Sequence, residues 1–110
     1  MNASFTAVHI CGATGLNDYC INGYFIPMEE MCGGVRVFRQ LEGDQWLVYY
    51  EGQWIIQSTS DKGTDSGYAF VDSPLISPQH CSAWRVDASD DDDEYETQQL
   101  TISSISQASL

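Results

Sequence analysis

The chain has 110 residues, is 43% hydrophobic, and carries a formal net charge of −12 from 16 acidic and 4 basic residues. A chain of that length forms one domain, large enough to bury a core without help from metal or disulfide, and the apolar content excludes wholesale disorder. So few Lys and Arg residues exclude a basic surface for nucleic acid or anionic lipid, because phosphate contacts need clustered cations.

The first ten residues lack a basic segment followed by a long apolar core, so no export signal is expected. No window approaches a membrane-spanning apolar run. A cytoplasmic location follows as the expectation, with no membrane partner. In that compartment Cys11, Cys20, Cys32 and Cys81 are expected to stay reduced, although their even number permits two disulfides.

Residues 5–11 predict a first strand, with Phe5, Ala7 and His9 on one face and Thr6, Val8 and Ile10 on the other. Gly12-Ala-Thr-Gly15 ends it. Cys20-Ile21 and Tyr24-Phe25-Ile26 flank Asn22-Gly23, which makes either a short hairpin or one strand bent at Gly23. Pro27 is expected to stop that run, and residues 28–32 to form a short connector containing at most one helical turn. After the Gly33-Gly34 turn, residues 35–39 alternate as a strand.

Residues 44–58 are the strongest signal in the chain. They hold two of the three tryptophans, two tyrosines and four branched aliphatics around Glu51-Gly52. A two-residue loop there sets Tyr50 opposite Gln53, Tyr49 opposite Trp54 and Leu47 opposite Ile56. Leu47, Tyr49, Trp54 and Ile56 then share a wholly apolar core face. Trp46, Val48, Tyr50, Gln53, Ile55 and Gln57 share a mixed one. Residues 58–67 form a polar loop, residues 68–71 a short strand, and residues 73–78 an irregular bridge. Residues 81–86 form a strand with Trp84 and Val86 on one face, and residues 98–103 a last strand.

Several stretches resemble chemistry without its spacing. Asp87, Asp90, Asp91, Asp92, Asp93, Glu94 and Glu96 lie within ten residues. The run from Asp90 to Glu94 lacks the spaced ligands and the Gly of a calcium loop, and reads as a solvated acidic loop. His80-Cys81 are adjacent, and the other cysteines have no zinc spacing, so no metal or cofactor is expected. Asp61-Lys-Gly-Thr-Asp-Ser-Gly67 has neither the order nor the helix of a phosphate loop. A nucleophilic Cys-His pair would require a thiol near His9 in space, which nothing in the sequence places.

Cys11-Gly-Ala-Thr-Gly15, Ile21-Asn-Gly-Tyr24, Gly34-Val-Arg-Val-Phe38, Trp46-Leu-x-Tyr49, Trp54-x-Ile56, Asp61-Lys-Gly-Thr-x-x-Gly-x-Ala69 and Trp84-x-Val86 follow one another in a single order. In this order they resemble an uncharacterised small β-rich module of large multi-domain proteins of algae and other protists. The resemblance spans roughly residues 10 to 102. It implies an accessory domain and carries over no catalytic residue. The acidic run departs from its pattern.

The expected fold is all-β, with six to seven short antiparallel strands in a meander, small barrel or compact sandwich over residues 1–103, and a flexible tail over 104–110. The expected function is non-catalytic protein binding through Trp46, Tyr50, Gln53 and Gln57, whose apolar bodies and polar edges suit an interface. The rival is a carbohydrate-binding module in which Trp46 and Tyr50 stack on a sugar. A small enzyme and an acidic mimic of nucleic acid rank behind both.

Overall fold

Residues 44–58 form the hairpin that their pattern demands. In chain order β1 is Thr6–Cys11, followed by a one-turn helix α1 (Asp18–Ile21), β2 (Gly23–Cys32), β3 (Val35–Gln40), β4 (Gln45–Tyr50) and β5 (Gln53–Ser58). β6 (Ala69–Asp72), β7 (Ala83–Val86), β8 (Glu96–Gln99) and β9 (Thr101–Ser106) follow. Short 3-10 turns lie at Thr59–Asp61 and Pro78–His80. The computed structural model describes residues 6–73, 78–88 and 94–106. Phe5, residues 74–77 of the irregular bridge, Asp90 to Asp93 of the acidic run and residues 107–110 of the expected tail lie outside the described residues.

The β4–β5 register is the expected one: Leu47 pairs with Ile56, Tyr49 with Trp54 and Tyr50 with Gln53. Glu51 and Gly52 have φ of 51° and 82°. Positive φ at both loop positions is what a tight hairpin following the right-handed strand twist requires. Glycine adopts it freely, whereas glutamate is held there at a cost of about 1 kcal/mol. Glu51→Asn is therefore expected to raise stability by about 0.5–1 kcal/mol, read as a higher urea midpoint at an unchanged slope. A lower midpoint would mean that the Glu51 side chain supports the turn.

Among the described residues all strand pairs are antiparallel and belong to one nine-stranded sheet, in the order β8-β7-β6-β5-β4-β3-β2-β1-β9. The two edge strands are consecutive in the chain and only Leu100 separates them, so the sheet curls into a half-barrel whose edges are joined through that residue and not by strand pairing. Leu100 is 3% exposed and donates its amide to Ser82 O at 2.8 Å. The inner face carries one cluster that includes Val8, Ile10, Phe25, Leu47, Trp54, Ile56, Ala69, Trp84, Val86, Leu100 and Ile102. Tyr49 and Phe38 pack against it, their rings 5.1 and 6.2 Å from that of Trp54.

The strand count corrects the expected six to seven, for local reasons. β2 runs through Pro27 and includes the supposed connector. Its register with β3 shifts between Pro27 and Met31, and at such a bulge proline's missing N–H disturbs the ladder least. Cys20-Ile21 belongs to α1, so Asn22-Gly23 joins a helix to a strand. The last strand is split by Leu100, and its second half extends past residue 103. There Ser104, Ile105 and Ser106 pair with Val8, Ala7 and Thr6, so these three residues are sheet and not tail.

Candidate functional site

The site is built on the short helix. A single helical turn leaves its last carbonyls without partners of its own. Gln40, at the end of β3 and 8% exposed, supplies them. Its Nε2 donates to Tyr19 O at 3.2 Å, Cys20 O at 3.4 Å and Asn22 O at 3.0 Å. Two N–H groups serve three acceptors, so one bond is shared. On the other side of the turn Asn22 clasps Ala13, donating Nδ2 to its carbonyl and accepting its amide at Oδ1, both at 3.0 Å. Gln98 grips Thr14 in the same two-handed way, at 3.0 and 3.1 Å. Gly15 has φ 103° and passes so close to Ala88 that a Cβ would lie 2.6 Å from its carbonyl oxygen, so only glycine fits.

These clasps hold an apolar surface in the open. Among the described residues the exposed large hydrophobics are Leu16, Tyr19, Tyr24, Met31 and Leu41. Tyr19, Tyr24 and Leu41 converge on one groove of about 340 Å³, walled also by Asn22, Gln40 and Glu42. Leu41, Gln40 and Glu42 are shared with a second groove of about 540 Å³ that continues over Ile26, Met28, Arg39 and Gly43. Tyr24 stacks on His9, ring centroids 4.4 Å apart. Leu41 is fixed by its amide, which donates to Tyr24 O at 2.8 Å. Glu42 sits at φ 69°, a left-handed backbone uncommon outside glycine. Gly43 lies against the Gln40 amide, where any side chain would collide.

The expected binding residues fall elsewhere. Trp46, Tyr50, Gln53 and Gln57 do share the outer face of the β4–β5 hairpin, but most are engaged within the chain. Gln57 is fully buried, accepting from Gly63 N at 2.8 Å and donating to Thr64 O and Ser66 O. It fastens the polar loop and offers no edge to a partner. Gln53 Nε2 donates to Asp72 at 2.8 Å. Trp46 Nε1 donates to Thr59 Oγ1 at 2.9 Å, and its ring has the Lys62 ammonium 3.8 Å and the Arg39 guanidinium 5.5 Å from the centroid. Lys62 thus stands on a ring face that a sugar would need. Tyr50 is half-buried.

All four cysteines are free thiols: Cys11 exposed, Cys32 half-buried, Cys20 and Cys81 buried. Burial pushes the Cys20 thiol above its ordinary 9.0, and burial likewise raises the neighbouring Tyr68 phenol above 10.0. Both groups favour the protonated form in the fold. Their contribution to stability is intact below the ordinary thiol value and is lost as pH rises through it towards the raised values. A disulfide-exchange reagent at neutral pH should label Cys11 first and Cys32 more slowly. Cys20 and Cys81 should appear only after unfolding, for four thiols in all. Fewer than four would establish a disulfide.

No helix among the described residues is long and apolar enough to cross a membrane, and no group of three or more His, Cys, Asp or Glu residues among them is placed to hold a metal. Comparison of the chain with protein-family models, with curated proteins and with solved structures found no match.

Proposed function

We propose that the chain is a non-catalytic protein-binding module, and that its partner docks on the double groove between α1, β2 and the β3–β4 turn. The observation that carries this reading is the convergence of Tyr19, Tyr24 and Leu41 on one groove, with Ile26 and Met28 continuing it. Contiguous exposed apolar surface marks interaction sites, and tyrosine is enriched in them because a large apolar body carries a polar tip. The left-handed backbone at Glu42 is a second support, since such strain collects where a turn must present side chains.

The partner surface should pair an apolar anchor with basic flanks. Glu42 lines both grooves, and the chain carries a net charge of −12. Arg39, the one basic residue in the lining, is drawn towards the Trp46 ring. Complementary charge of this kind speeds encounter and selects partners more than it adds affinity. The test is the double substitution Tyr19→Ala with Leu41→Ala. Both side chains are exposed, so the circular dichroism spectrum should stay native while affinity for a purified partner falls by at least about 30-fold, the loss of one central anchor. Equal binding by both chains would refute the groove.

A further inference from the structure

Lys62 and Trp46 make a contact that the groove does not use. The indole is held rigidly: Nε1 donates to Thr59 Oγ1 at 2.9 Å, and Thr59 in turn donates to Asp44 Oδ1 at 2.6 Å. With its plane so fixed, the ring presents a face to the Lys62 ammonium, 3.8 Å from the centroid. That ammonium also reaches Glu30 Oε1, on β2, at 2.6 Å, the only ion pair among the described residues. A cation between an aromatic face and a carboxylate is the arrangement by which proteins recognise alkylammonium groups. Beside it lies a groove of about 320 Å³ lined by Met31, Cys32, Val37 and Val48 together with Glu30 and Lys62.

We infer that Trp46 and Glu30 form an alkylammonium-recognition site that Lys62 occupies from within the chain, and that the ligand it takes in exchange is a lysine side chain of a partner protein. Every other part of the site is pre-formed. The ring is oriented by the Thr59–Asp44 relay. The loop bearing Lys62 is anchored separately by the buried Gln57 amide, through Gly63, Thr64 and Ser66. The loop backbone therefore stays in place when the Lys62 side chain is displaced. Arg39 links this site to the double groove, lining the latter while facing the Trp46 ring. The inference stands apart from the docking groove, because it rests on a contact present in the free chain and is tested with a small probe.

The probe is n-butylammonium, and the readout is the Trp46 indole N–H resonance, assigned through Trp46→Phe. In Lys62→Ala the site is vacant, and the probe should shift that resonance saturably. Glu30→Gln in the same background should weaken binding at least about five-fold, because the charge-assisted bond is lost. The uncharged n-butanol should give no saturable shift. The wild-type chain supplies a second reading that needs no change at Lys62. There the tethered side chain competes for the site, so half-saturation should need more probe than in Lys62→Ala. No saturable shift in the wild-type chain up to molar probe, or binding in a natively folded Lys62→Ala that is indifferent to Glu30→Gln, would overturn the inference.

Discussion

Trp54→Ala should cost about 3–5 kcal/mol, enough to leave a domain of this size largely unfolded at room temperature. Trp54 is 1% exposed and meets the inner cluster from β5, with Tyr49 and Phe38 against its ring. An indole contributes roughly 150–250 Å² of buried surface, and its removal from the middle of a curled sheet leaves a cavity that rigid strands cannot close. The indole N–H has no hydrogen-bond partner among the described residues, so its loss removes packing and breaks no polar bond among them. Trp54→Phe should for that reason cost far less than Trp54→Ala. Urea unfolding followed by circular dichroism measures both. A loss below about 1 kcal/mol for Trp54→Ala, the range of surface changes, would contradict the placement of the core.

Gln40→Ala is expected to have the second largest effect, about 2–4 kcal/mol from one buried and two partly buried bonds to carbonyls that lose their donor. It should also carry a local signature. Tyr19 O, Cys20 O and Asn22 O lose their common partner, so α1 should loosen and the groove walls formed by Tyr19 and Leu41 should separate. Hydrogen exchange should accelerate over residues 18–24 and 41–43 while the β4–β5 hairpin keeps its protection. Uniform acceleration along the whole chain would show that Gln40 supports the fold at large and not the groove in particular.

The parts legible in the sequence were those governed by period-two patterning. The faces of the hairpin, the pairing across Glu51-Gly52, and the inward side of Trp84 and Val86 all follow from alternation and a turn dipeptide. Alternation is local, and so is the cause. The parts that were not legible depend on contacts between residues distant in sequence. Nothing near Gln40 announces that its amide closes a helix about twenty residues upstream, and Pro27 reads as a strand terminator until a bulge accommodates it. Alternation assigns Trp46, Tyr50, Gln53 and Gln57 to a face but carries no signal of what covers it. That face was correctly placed, but the loop that returns over it buries Gln57 and sets Lys62 on Trp46. Some glycines of the quoted motifs answer to packing that the local sequence does not show. Gly67, for one, passes so close to β5 that a Cβ would lie 2.5 Å from Ile55 Cγ2.

The most direct test of the docking surface is site-specific photo-crosslinking with a benzophenone side chain placed singly at position 41 and at position 50. Leu41 and Tyr50 are both outside the core, but Leu41 precedes β4 and Tyr50 ends it, so they mark opposite ends of that strand. Protein adducts that form from position 41, that are suppressed by Tyr19→Ala, and that are absent from position 50 are the predicted result. Adducts from position 50 with none from position 41 would place the partner on the hairpin face and contradict the groove.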